Sequence, residues 1–265
     1  MSLPSIQTVA CKSALSKSTL PGLAYTFNPY IGCTHGCLYC YVPDVLRGRV
    51  ISSKWGSEVM LKEPILDRLK FDLHRAKKGI VGVSTVTDPY QQVERSLCIT
   101  REALKLLKEA QFPVSIQTKS ALVVRDIDII REGNMEVGIT VTSMNDSFRR
   151  LFEPRASPPA ERARALKELC LKGIHTWIFY GPIIPGYNDS LEDIQDIVEL
   201  AAETQCRIIY DRLNLKPLML SRINKNLTKE KIVQIRRGIS ESTFKQLREL
   251  CRKSGIKCEF AFPNR

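Results

Sequence analysis

The chain lacks most of what membrane proteins, secreted scaffolds and common hydrolases are built from. No apolar run approaches the roughly 20 residues that cross a bilayer, so no membrane span is expected. The first 17 residues hold no apolar stretch of the secretory kind, and the cytoplasm is the expected location. Only three histidines occur, His35, His74 and His175, and they form no recognisable base or metal group. No serine–histidine–aspartate or paired-carboxylate arrangement stands out, which removes the usual hydrolytic logic. A dinucleotide glycine fingerprint is also missing. Nine cysteines in 265 residues are too sparse for a disulfide framework. Six of them (Cys11, Cys98, Cys170, Cys206, Cys251 and Cys258) are scattered, and read as buried thiols in a reduced compartment.

Acidic residues are also in short supply. Forty Lys and Arg stand against 28 Asp and Glu, a formal net charge of +12. The excess is concentrated between Arg212 and Lys257, with 13 basic residues against 3 acidic ones. Such a stretch suits an anionic partner, nucleic acid included, or is a solvated helical face. Aromatics do not alternate with the basic residues as they would on a single-strand stacking surface. The remaining composition, 43% hydrophobic and 26% charged, is that of an ordinary globular chain of one sizeable domain, alone or with an appendage.

What is concentrated is one stretch, residues 28–41, in which Cys33, Cys37 and Cys40 follow a C-x-x-x-C-x-x-C spacing. Gly32 and Gly36 let the backbone take positive φ and approach the sulfurs closely. The number of ligands is informative. A closed zinc site wants four, usually as two separated pairs, and an ordinary ferredoxin cluster also takes four cysteines. Three thiolates can hold three irons of a 4Fe–4S cluster and leave the fourth open. An open iron can chelate the amino and carboxylate groups of S-adenosylmethionine and deliver an electron to its sulfonium. A zinc knuckle completed by His35 or a distant ligand, in a zinc-stabilised nucleic-acid-binding protein, is the alternative.

The string from Asn28-Pro29-Tyr30 to Cys37-Leu38-Tyr39-Cys40-Tyr41 resembles the radical S-adenosylmethionine superfamily, and within it the spore photoproduct lyase-like branch, also called DNA repair photolyase-related proteins. The resemblance implies an enzyme that carries a 4Fe–4S cluster and S-adenosylmethionine, and forms a 5′-deoxyadenosyl radical for hydrogen abstraction. It also implies a reducing partner such as ferredoxin or flavodoxin.

Strand and helix patterns alternate along the chain. A first strand is expected at 23–27, an irregular segment with a small hairpin at 45–61, and a helix at 64–78. Strands follow at 80–86, 114–118, 136–142, 174–180 and 207–213, interleaved with helices at 96–110, 125–131, 159–172 and 191–204. Residues 217–240 look less regular, with a helix at 229–236; a helix at 243–253 and a strand at 257–262 end the chain. Repeated β-α units without a dinucleotide fingerprint favour an α/β partial (β/α)6 TIM-like barrel over a doubly wound sheet, and the resemblance implies the same core. The expected division is an extended lead-in over 1–22, the barrel over 23–213, and a basic C-terminal segment over 214–265 packing on it.

Sites in such barrels form at the carboxyl ends of strands, and polar residues stand there. Thr87 and Asp88 follow the second barrel strand and offer acceptors to a cationic amino group. Lys119 directly follows the third and can pair with a carboxylate. Thr140 and Thr142 share side-chain parity on the fourth and can reach ribose oxygens, and Arg155 can clamp a carboxylate or phosphate. By the resemblance, Ile184 in the Gly181–Asp189 segment lies on the adenine, the Tyr39 backbone meets the adenine edge, and Tyr41 is linked to radical return. The similarity runs from about Ser13 to Asp189. In the lyase a cysteine donates the hydrogen atom; that position falls here on Thr85, whose O–H bond is too strong for the task. Repair of spore photoproduct itself is therefore not expected.

Overall fold

Apolar, β-branched strands alternating with amphipathic helices dictate the architecture, because such strands are covered on both faces. A computed structural model describes residues 5–46 and 54–262. Strands β1 (Ser5–Ala10), β2 (Leu15–Lys17), β3 (Tyr25–Phe27), β4 (Tyr30–Ile31) and β5 (Glu58–Glu63) precede β6 (Val81–Val83), β7 (Val114–Thr118), β8 (Met135–Thr140), β9 (His175–Ile183), β10 (Arg207–Arg212) and β11 (Cys258–Phe260). The main sheet has the order β11-β10-β9-β8-β7-β6-β3-β2. All its pairings are parallel except β2 with β3 at the edge. No pairing joins the two edges among the described residues, so the barrel is partial.

The helices α1 (Val42–Val45), α2 (Ile65–Arg75), α3 (Glu94–Leu97), α4 (Ile99–Glu109), α5 (Ile127–Glu132), α6 (Asp146–Phe152), α7 (Pro159–Leu171), α8 (Leu191–Thr204), α9 (Pro217–Asn226), α10 (Lys229–Arg237) and α11 (Glu241–Lys253), with a 3-10 helix at Ala121–Asp126 leading into α5, complete the described elements. In α8 the logic is plain. Ser190 caps its start by accepting a hydrogen bond from the Asp193 amide at 3.1 Å, and Ile194, Ile197, Val198 and Ala201 form the buried stripe. They meet Val137, Ile139, Ile178 and Ile208 in one continuous core.

Several elements differ from the expectation. The lead-in carries two strands, and β1 runs parallel to β5, which also pairs antiparallel with β4. The segment at 45–61 is thus no hairpin of its own where it is described; its residues 47–53 lie outside the described residues. Helix α9 replaces irregular chain because a remote residue starts it: the Asp44 carboxylate accepts from the Leu218 and Met219 amides at 2.9 and 3.1 Å. The last strand, β11, lies in the basic C-terminal segment and extends the main sheet. Cys251 and Cys258, expected as free thiols, are joined in a disulfide with a Cα–Cα distance of 6.2 Å, within the normal range.

Candidate cofactor site at the strand ends

The three-cysteine loop is fastened from every side to the carboxyl ends of the strands. Behind β3, Asn28 Oδ1 accepts from the Thr85 and Val86 amides at 2.9 and 3.0 Å. Gln91 Oε1 accepts from the Thr34 amide at 2.8 Å, while the Thr87 hydroxyl donates to the Gly32 carbonyl at 2.5 Å. The Leu38 amide donates to the Phe152 carbonyl at 2.8 Å, and Arg155 Nη1 donates to the Thr34 carbonyl at 3.3 Å. Gly36, at φ +62°, faces Gly56 so closely that a Cβ on Gly56 would stand 2.9 Å from the Gly36 Cα. Neither position tolerates a side chain without displacing backbone.

Cys33 and Cys37 are 7% exposed, and none of the three loop cysteines is in a disulfide. Burial pushes all three thiols up, to about 12 for Cys37, and neighbouring loop cysteines add to the rise at Cys33 and Cys37. Buried thiols held on one loop fit a cationic inorganic core, which would take them as thiolates and release their protons. The knuckle alternative fares worse. It needs His35 or a distant side chain as its fourth ligand. His35 turns its Nδ1 to Asp88 Oδ2, 3.4 Å away, outside hydrogen-bond alignment.

Below the loop lies a buried polar network. Tyr39 donates its hydroxyl to Glu153 Oε1, as does Thr142 at 2.6 Å, and Glu153 Oε2 pairs with Arg162 Nη2. Arg162 also donates to the carbonyls of Thr140 at 3.1 Å and Ser157 at 2.7 Å. Burial alone would raise the Glu153 carboxyl, but the charges of Arg162 and Lys119 bring it down to about 2. Thr140 and Thr142 are both fully buried, and the Thr142 hydroxyl is held by Glu153 rather than left free.

Asp88 is likewise a fastener. Its Oδ1 accepts from Thr118 Oγ1 at 2.6 Å and the Tyr90 amide at 2.9 Å, and its Oδ2 accepts from the Lys119 amide at 2.9 Å. Burial pushes its carboxyl up, yet His35 and these hydrogen bonds hold it well below the usual carboxylate range. The Lys119 side chain differs. Its ammonium stands 5.8 Å over the Tyr39 ring and has no ion-pair partner among the described residues. Burial opposes its charge, but Cys37, Glu153 and Asp88 outweigh that and raise its pKa. A half-buried cation with no ion-pair partner among the described residues, beside the loop, fits an incoming carboxylate.

Ile184 is fully buried with Cys37, Tyr39 and Phe152, against Met219 and Ile223 of α9. Asn188 fixes it by accepting from the Ile184 amide at 2.6 Å and donating to the Thr142 carbonyl at 2.6 Å. Tyr41 is 42% exposed and donates to the Thr85 carbonyl at 2.8 Å, which brings these two positions together. Arg222 of α9 donates from Nη2 to the Cys40 carbonyl. Sequence reasoning missed Asn28, Gln91, Glu153, Arg162, Asn188 and Arg222; for Glu153 the neighbouring Pro154 and Arg155 were the available signal.

Comparison with known proteins identifies the family and the fold. The model of the Radical SAM superfamily matches residues 27–201. An uncharacterized protein of Methanocaldococcus jannaschii is 33% identical over 209 residues, 78% of this chain and 77% of that protein. The Radical SAM Nalpha-GlyT isomerase of Pseudomonas phage M6 is 24% identical over 214 residues, 77% of this chain and 43% of that protein. A structure of spore photoproduct lyase with bound AdoMet and dinucleoside spore photoproduct superposes with a TM-score of 0.70 at 12% identity, over 97% of this chain and 81% of that one. The expected likeness to that lyase therefore holds for the fold. With a matched family model over most of its barrel, the chain belongs to the Radical SAM superfamily of enzymes, whose cofactors are a 4Fe–4S cluster and S-adenosylmethionine.

Proposed function

We propose that Cys33, Cys37 and Cys40 hold the cluster and that the substrate is a base within a nucleic acid. The observation that carries the first half is the loop itself: three unbridged thiols, Cys33 and Cys37 buried and Cys40 half-buried, pinned by strand-end residues beside the Lys119 ammonium, which has no ion-pair partner among the described residues. When bound, the cluster and S-adenosylmethionine supply the reductive cleavage that yields methionine and a 5′-deoxyadenosyl radical, and thereby hydrogen abstraction.

The chain's own residues do the rest. Lys119 draws in the methionine carboxylate. The Thr87 carbonyl is the acceptor left for the amino group, since the Thr87 hydroxyl and the Asp88 carboxylate already have protein partners. Ile184 and Tyr39 form the apolar wall on which an adenine packs, and Met219 and Ile223 close that wall against water. Tyr41, exposed beside Thr85, faces the side from which substrate enters.

The nucleic-acid half rests on placement. Helix α9 docks on the cysteine loop through Arg222 and on α1 through Asp44, and Lys216 and Lys225 stand exposed at its two ends. Lys229, Arg236 and Arg237 continue this exposed basic face, with no ion-pair partner among the described residues. Lys231 lies 5.0 Å from the Tyr187 ring on the loop after β9. A phosphate backbone would be held there by charge, in a salt-dependent way. The dinucleoside bound in the lyase structure favours the same class of substrate. With Thr85 at the position of the lyase's donor cysteine, we do not assign spore photoproduct repair. The test is turnover of the reconstituted protein with S-adenosylmethionine and a reductant in the presence of single-stranded DNA, duplex DNA, RNA or peptide. Stimulated 5′-deoxyadenosine release with one nucleic acid, fading as salt rises, is expected; stimulation by peptide alone would overturn the assignment.

A further inference from the structure

Four cysteines stand at the opposite rim of the barrel, where the strands begin. Cys251, near the end of α11, is bonded to Cys258, the first residue of β11. Cys170, near the end of α7, and Cys206, immediately before β10, are not bonded, yet their sulfurs lie 3.6 Å apart. Thr176, at the start of β9, completes a triangle, with its Oγ1 2.8 Å from the Cys170 sulfur and 2.9 Å from that of Cys206. Cys258 lies in register with Ile208, two residues beyond Cys206. The two cysteine pairs are therefore neighbours along one edge.

We propose that Cys170 and Cys206 are a thiol-oxidation site that closes to a second disulfide, with a small disulfide such as glutathione disulfide as the oxidant. The sulfurs are already in contact, and closure shortens their separation to about 2.05 Å. Their environments divide the labour. Cys170 is half-buried and reachable from solvent, whereas Cys206 is 2% exposed. The hydrogen bond from Cys170, with further ones involving Thr176 and Thr204, draws the Cys206 thiol down, while Cys170 is pushed up. Cys206, enclosed and 3.6 Å from the Cys170 sulfur, is placed for the resolving attack.

The exchange balances in two steps. Cys170, the member solvent reaches, gives its proton to solvent, and its thiolate attacks one sulfur of glutathione disulfide and expels one glutathione thiolate, leaving a mixed disulfide on Cys170. The Cys206 sulfur then attacks the Cys170 sulfur and expels the second. Two protein thiols are oxidised, one glutathione disulfide is reduced to two glutathiones, and the two protein protons end on them. The new bond encloses β9 and α8, one full β/α repeat, and with Cys251–Cys258 it pins successive strand starts. It touches none of the loop cysteines, so it does not rest on the cofactor assignment.

The test uses the full chain, purified anaerobically and equilibrated in glutathione buffers from fully reduced to fully oxidised. Each sample is quenched with an alkylating agent, and its peptides are mapped without reduction. A linked Cys170–Cys206 peptide should become the main form, with the unfolding temperature raised by about 5–10 °C. In Cys206→Ser the linked peptide should vanish and glutathione should remain on Cys170. If wild-type Cys170 and Cys206 are both still alkylated in the most oxidising buffer while Cys251–Cys258 stays linked, the proposal fails. It fails equally if Cys170 is found bonded to another cysteine.

Discussion

The two rims of the barrel use the same side chain in opposite ways. At the carboxyl ends of the strands three cysteines stay unbridged amid charge: the buried Glu153–Arg162 pair and the half-buried Lys119 and Arg222. At the amino ends two cysteines are bonded and two are in contact, surrounded by the apolar core. The difference lies in what the backbone offers. Strand ends that lead into long loops supply amides, carbonyls and polar side chains that hold a loop open around a ligand. The tight helix-to-strand turns at the other rim bring thiols together and leave room for nothing else. A thiol's fate is set by its neighbours, not by its own chemistry.

The sharpest way to break this contrast is Glu153→Gln. It leaves the Arg162 guanidinium buried without a counter-charge and should cost about 3–5 kcal/mol of stability, read by denaturant unfolding. The pH dependence gives the sign. With its pKa lowered from 4.5 to about 2, Glu153 stabilises the fold fully above 4.5 and loses that contribution as pH falls towards 2. The variant should lack this part of the acid slope. Next is Lys119→Met, which should weaken S-adenosylmethionine binding by about tenfold to a hundredfold, as for a lost hydrogen bond to a charged group, without unfolding the chain. Equilibrium dialysis against labelled ligand checks it.

Arg222→Gln removes the cation next to Cys40. The midpoint of the bound cluster should move negative by roughly 30–60 mV, a threefold to tenfold loss of reduced form at fixed potential, with partial recovery in Arg222→Lys. Asp44→Ala uncaps α9 and should cost about 1 kcal/mol, with faster amide exchange confined to residues 217–226. At the far rim, Cys206→Ala should leave the iron content of the reconstituted protein unchanged. A fall there would mean that the two rims are not independent.

Much of the barrel was legible because its strands are apolar and its helices amphipathic. Val114–Thr118 and Leu191–Thr204 match their sequence-predicted limits residue for residue. The three-cysteine loop was legible because its chemistry is local. What escaped is what only tertiary structure creates. Helix α9 buries just Met219 and Ile223, too thin a stripe to announce itself, and its start is set by Asp44, more than 170 positions earlier. Arg162 sits in a helix where a basic residue reads as solvent-facing, until Glu153 folds over it. Cys251 and Cys258 are separated by a helix end and a strand start, and sequence alone does not fix pairing. Asp88 and Thr87 show a subtler gap: position at a strand end was readable, but which atoms remain free for a ligand was not.

The most direct test of the central claim is anaerobic reconstitution with iron and sulfide, followed by dithionite and S-adenosylmethionine, on the native chain and on Cys37→Ala. Iron content, the spin signal of the reduced cluster and 5′-deoxyadenosine are read together. The account predicts about four irons per chain and deoxyadenosine formation, both lost in the variant. Zinc in place of iron, or equal deoxyadenosine formation by both proteins, would contradict it.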